Sequence, residues 1–187
     1  LSLWKNLPEG PFDLAYMDPP WRWKTRSPAG DGKPPPYARL DFTSLQTFPL
    51  PDLMERNSAV VSWVIDTHIP QMLELARWWG LRYSTVCFTW AKLTKTGQRW
   101  HFGTGKTTRA NTEQCFLFWY GKGLPIRDHS VRRLIVAPVR EHSRKPDEAR
   151  AGLMKLFGDV RRVELFANEK TPGWEAWGDG HKHRTTP

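Results

Sequence analysis

Phe12-Asp13-Leu14-Ala15-Tyr16-Met17 runs without a break into Asp18-Pro19-Pro20-Trp21, and the change of character between the two stretches decides how the chain is read. The first six residues are mostly apolar and short enough for a buried strand. The next four cannot continue it, because each proline fixes φ at about −65° and brings no N–H. The expected result is a rigid corner at a strand end that presents one carboxylate and then backbone carbonyls, acceptors without competing donors. Such a set suits a planar amine like that of adenine, whose lone pair is delocalised into its ring: two acceptors on its hydrogens draw it out of plane and localise that pair. Trp21 adds an aromatic face on which an unstacked base could lie. A rigid surface turn, or a polyproline ligand for an aromatic groove, is the alternative these residues leave open.

The chain around this corner has 187 residues, 39% of them hydrophobic, which suits a single domain over residues 1–187. It has no apolar run of about 18 residues and no basic-then-apolar leader, so neither a membrane span nor a signal peptide is expected. Cys87 and Cys115 match no zinc site and no disulfide framework; they are expected to be reduced core thiols of a cytoplasmic protein, with no metal. A net charge of +9 points to a polyanionic partner, nucleic acid first, since each phosphate neutralised releases condensed counterion. A basic surface that serves only solubility is the other reading. Trp63 and Trp119 lie in apolar runs and are expected in the core. Trp21 and Trp23, interleaved with Arg22, Lys24 and Arg26, fit a stacking and phosphate surface.

Further along, residues 28–36 are rich in proline and glycine and read as a mobile loop able to close over a substrate, with Tyr37 entering the site or anchoring the loop. A short helix is expected over residues 50–55 and a strand over 58–65. Pro70 to Trp79 reads as a helix whose Met72, Leu75, Ala76 and Trp79 form one core stripe, stopped by Gly80. A strand over 82–91 leads into a polar, mobile segment, residues 92–110, where Lys92, Lys95, Arg99, Lys106 and Arg109 alternate with Trp100 and Phe102. Basic residues among aromatics suit nucleic-acid contact, against a solvated loop with two hydrophobic anchors. Strands follow over 113–120 and 133–137. His142-Ser143-Arg144-Lys145-Pro146-Asp147-Glu148 opens a helix running to about residue 156. Asp147 and Glu148 suit its positive end and Lys145 does not, so either an anionic ligand shares the site or Lys145 points to water. A last strand covers 163–167, and the basic tail 180–187 is expected to be disordered. Strands alternating with helices indicate an α/β sheet covered on both faces, with ligands beyond the carboxyl ends of its strands.

Five motifs, DPPW at 18–21, RANTEQC at 109–115, HSRKPDE at 142–148, ELFA at 164–167 and PGWEAWG at 172–178, together resemble the DPPW-type N6-adenine methyltransferases. That family holds the eukaryotic mRNA adenine methyltransferases and many small bacterial and phage proteins. The resemblance implies a Rossmann-like methyltransferase fold in permuted order, the catalytic motif preceding the cofactor strand. It also implies S-adenosylmethionine as cofactor and the exocyclic amine of adenine in nucleic acid as target, DNA favoured over RNA. Asp18, Pro19, Pro20 and Trp21 would hold the target adenine. Asp18, Lys145, Phe166, Asn168, Gly178 and Asp179 fall where the family binds its cofactor. On the nucleic-acid side stand Trp21, Trp23, Lys24, Tyr37, Arg99, Arg109, Asn111 and Glu113. Two positions depart from the pattern: Asn168 replaces an arginine common after ELFA, with Lys170 as a substitute, and Asp179 replaces an asparagine after the final WG. The reading admits a homodimer or a methyltransferase-like partner subunit. Its rival is a catalytically inactive, nucleic-acid-binding subunit that supports an active partner.

Overall fold

A seven-stranded sheet with strand order β5-β3-β4-β2-β1-β6-β7 organises the computed structural model, which describes residues 4–22, 39–103, 107–141 and 144–178. The expectations for residues 28–36, for Trp23, Lys24, Tyr37 and Asp179, and for the tail lie outside the described residues. In chain order the elements are β1 (Phe12–Met17), α1 (Phe42–Gln46), α2 (Leu50–Leu53), β2 (Met54–Val64), α3 (Ile69–Trp78), β3 (Arg82–Leu93), β4 (Thr112–Tyr120), β5 (Leu134–Pro138), α4 (Asp147–Phe157), β6 (Arg162–Leu165) and β7 (Glu175–Trp177).

The pairing gathers the carboxyl ends of the strands, and with them Asp18 and the start of β4, at one edge. β1 runs parallel to β2 and β6, β7 parallel to β6, and β5 parallel to β3. β4 is antiparallel to both neighbours, β2 and β3. Among the described strands β4 alone is therefore reversed, and its first residues join the carboxyl ends of the others. In such sheets ligands bind outside that edge.

The sheet is covered on both faces because its strands alternate. Ala15 and Met17 of β1, Val60 and Val64 of β2, and Phe116 and Phe118 of β4 face Leu45, Leu53, Met72, Leu75 and Ala76 of α1 to α3. Leu14 and Tyr16, Ala59, Val61 and Trp63, and Cys115 and Leu117 face Ala149, Leu153 and Phe157 of α4. The stripe read at Met72, Leu75, Ala76 and Trp79 is buried as expected. Cys87 and Cys115 are free thiols, and burial pushes Cys87 up to about 12. No described helix is long and apolar enough to cross a membrane.

Several boundaries differ from the sequence reading. β2 begins at Met54, directly after α2, because Glu55, Arg56 and Asn57 are exposed strand residues that give no apolar signal. The helix expected from residue 142 starts at Asp147, since Pro146 is extended (φ −65°, ψ 138°); Lys145 thus lies before the helix. α1 was not expected, although Asp41 caps it by accepting a hydrogen bond from Ser44 N–H at 2.8 Å. β7 was not expected either: its three residues are too few to show a period.

Candidate active site

Asp18 is the first residue after β1, and a chain of alternating charges holds it. Its Oδ2 accepts from Lys145 Nζ at 2.6 Å, Lys145 lies 3.2 Å from Glu113 Oε1, and Glu113 Oε2 lies 2.8 Å from Lys92 Nζ. Topology makes this possible. Glu113 stands at the start of β4 opposite Trp90, Lys92 lies two residues further along β3, and Lys145 sits in the connection from β5 to α4. Lys145 and Glu113 are buried, whereas 31% of the Asp18 side chain is exposed. Buried charges persist when paired and hydrogen-bonded, and these four sum to zero.

The cluster drives its two acids apart. Burial pushes the Asp18 carboxyl above the usual carboxylate range; Lys145 pulls it down and Glu113 pushes it further up. Burial also acts to raise Glu113, but Lys145 and Lys92 outweigh it and hold Glu113 below that range. Burial works against the Lys145 ammonium, yet Asp18 and Glu113 together hold it above the usual lysine range. Glu113 is the committed anion of the pair, and Asp18 is the acid with a solvent-facing side.

The prolines do not leave their carbonyls unengaged, which corrects the expectation of acceptors without competing donors. Trp21 N–H donates to Pro19 O at 2.9 Å, and Leu40 N–H donates to Pro20 O at 2.7 Å. The corner closes on itself and the chain near residue 40 returns beside it. Each carbonyl has a second lone pair for another donor. Trp21 corrects a second expectation. Its ring is 4% exposed, packed into the core on the α1–α3 face with His68 at 5.2 Å, so it is no open stacking surface. Its Nε1 is buried and has no hydrogen-bond partner among the described residues.

At the ends of β6 and β7 the expected residues divide. Phe166 adopts φ 59°, and its half-buried ring packs against Phe48 at 5.2 Å and Trp177 at 5.5 Å. Gly178 is required by packing: a Cβ there would lie 2.4 Å from Ala167 N. Asn168 is half-buried just past β6, the neighbour of β1. Arg99 and Arg109 are exposed in the β3–β4 connection, where Asn111 O accepts from Lys92 N–H at 2.8 Å. The structure brings Asp18, Lys145 and Glu113 together with Pro19 and Pro20 alongside; it does not bring out the ring of Trp21.

Sequence reasoning missed two supports. One is the role of Lys92. The other is the buried pair in which Arg150 Nε and Nη2 donate to Glu164 at 2.7 and 2.8 Å, tying α4 to β6 and so fixing the segment that carries Lys145. A signal was present: Arg150 falls inside the apolar stripe of α4, and a charge there calls for an opposite one on the facing strand. The donor set at this edge, an outward carboxylate at Asp18 and a half-buried amide at Asn168, suits a ligand carrying an ammonium and hydroxyl groups. Among the described residues no group of three or more His, Cys, Asp or Glu is placed to hold a metal.

The MT-A70 family model matches residues 12–180. The type II methyltransferase M.MunI of Mycoplasma sp is 26% identical over 95% of this chain and 81% of its own length. The human N(6)-adenine-specific methyltransferase METTL4 is 28% identical over 90% of this chain and 37% of its own. The N6-methyladenosine RNA methyltransferase MTA1 of Pyricularia oryzae is 27% identical over 92% of this chain and 47% of its own. The chain therefore spans most of the Mycoplasma protein and less than half of the other two.

Proposed function

The chain belongs to the MT-A70 family with a Rossmann-like methyltransferase fold, and from that premise we propose that it transfers a methyl group from S-adenosylmethionine to the N6 amine of adenine in nucleic acid, DNA in preference to RNA. The observation that carries this reading is Asp18: a carboxylate gripped from behind by Lys145 and partly open at the carboxyl edge of the sheet. The preference for DNA draws support from M.MunI, a type II methyltransferase that the chain spans over 81% of its length, against 47% for the RNA methyltransferase MTA1.

Asp18 accepts a hydrogen bond from the target amine, and the second lone pair of Pro19 O is available for the amine's other hydrogen. That polarises a nitrogen whose lone pair is otherwise tied up in the ring. When bound, S-adenosylmethionine supplies an electrophilic methyl on a positively charged sulfur, so alignment and polarisation are what the protein must add. Lys145 fixes the rotamer of Asp18 through Oδ2. Asp18 also suits the ammonium of the cofactor, and the Asn168 amide suits ribose hydroxyls. In a duplex the base must first leave the stack.

Incubation with labelled methyl donor and parallel DNA and RNA pools, followed by nucleoside mass spectrometry, tests the reading. N6-methyladenine mainly in the DNA pool is the expected result. Tight nucleic-acid binding without any methylated nucleoside would replace the proposal with that of an inactive binding subunit.

A further inference from the structure

The connection from β3 to β4 leaves the sheet at the edge that holds Asp18, and from Lys92 to Thr112 it contains no aspartate or glutamate. Its first arm is a closed hairpin. Thr94 N–H donates to Arg99 O at 2.8 Å, His101 N–H donates to Lys92 O at 2.9 Å, and Leu93 and Trp100 form an antiparallel bridge. The second arm returns against the first at Gly103, where a Cβ would lie 1.8 Å from Ala110 O, so only glycine fits that approach. The pinch sets the Arg109 guanidinium 5.0 Å from the centroid of the Phe102 ring. Phe102 is 75% exposed and Trp100 59% exposed. Two aromatic rings and a guanidinium beside one of them thus stand in solvent on these two arms.

Resting on the reading above, we infer that Trp100 and the Phe102–Arg109 stack form a platform for unpaired bases flanking the target adenine, so that the preferred substrate is a single strand or a locally opened duplex. The chemistry of the tip supports this occupant. Aromatic faces and a planar guanidinium take any base by stacking, and a surrounding surface of lysine and arginine tracks phosphates. Readout of an intact duplex instead needs donors and acceptors aimed at base edges in a groove. The platform is also continuous with the site. Lys92 holds the hairpin through its carbonyl and the returning arm through its N–H, while its Nζ pairs with Glu113, which shares Lys145 with Asp18.

Fluorescence anisotropy on the full chain decides the matter with three labelled oligonucleotides: an adenine-containing single strand, the same strand with abasic sites on both sides of the adenine, and the perfect duplex. The unsubstituted protein should bind the intact strand most tightly. Phe102→Ala and Trp100→Ala should each weaken that binding by about tenfold and leave binding to the abasic strand unchanged. Arg109→Lys keeps the charge, loses the planar stack and should reproduce part of the loss. All three side chains are exposed, so melting temperatures should not move. Equal affinity for intact and abasic strands, or alanine variants that bind like the parent, would overturn the platform while leaving the methyltransferase reading intact. Failure of the parent to bind any of the three would remove nucleic acid as the substrate and both proposals with it.

Discussion

Lys145 stands between two carboxylates and decides how each ionises, which gives the site a pH signature. In the proposed reaction Asp18 polarises the amine as a charged acceptor only when ionised, so the acid limb of kcat/KM should fall as pH drops through its pKa, above the usual carboxylate range. Glu113 raises that pKa, so Glu113→Gln should move the limb to lower pH. Lys145 lowers it, so Lys145→Met should move the limb to higher pH. Rate profiles of the two variants that shift in the same direction would contradict the cluster. At this scale the acid-proline corner was legible because proline geometry is local. The burial of Trp21 was not legible: its chain neighbours Arg22, Lys24 and Arg26 suggest exposure, while its cover comes from residues such as His68. The partners of Lys145 were equally hidden, since Asp18 lies 127 residues away in the chain.

Among the elements, β7 and the turn after β6 approach more closely than any side chain allows. Gly178→Ala would place a methyl 2.4 Å from Ala167 N and 2.5 Å from Ala167 O. That overpacking should cost about 1–3 kcal/mol. For a chain of this size each kcal/mol lowers the melting temperature by about 2–4 °C. A scan showing no change would mean that β7 can move away freely. The resemblance gave Gly178 a place beside the cofactor, and packing alone already accounts for it. Element types were readable wherever apolar residues kept a period, as in α3. They were not readable where the signal was a single cap at Asp41 or a three-residue strand at Glu175–Trp177.

At the scale of the whole molecule the sheet sets Asp18 and the basic β3–β4 connection at one edge of a chain of net charge +9. An α/β sheet was legible, but the reversed β4 was not: the length of the segment between β3 and β4 suits a crossover as well as the long hairpin observed. Binding to a single strand should weaken steeply with salt. Arg99→Gln and Arg109→Gln should each reduce the slope of log affinity against log salt by about one phosphate contact. Anisotropy titrations over a salt series check this, and a flat response would contradict an ionic contact surface at this edge.

The role of Asp18 is tested most directly by the rate of methyl transfer to an adenine-containing strand by Asp18→Asn with both substrates saturating. Asparagine keeps the shape and an acceptor for Lys145 but removes the charge proposed to polarise the amine. The rate should fall by about two to three orders of magnitude in a protein whose circular dichroism matches the parent's. A variant that keeps about half the parent's rate would contradict that role.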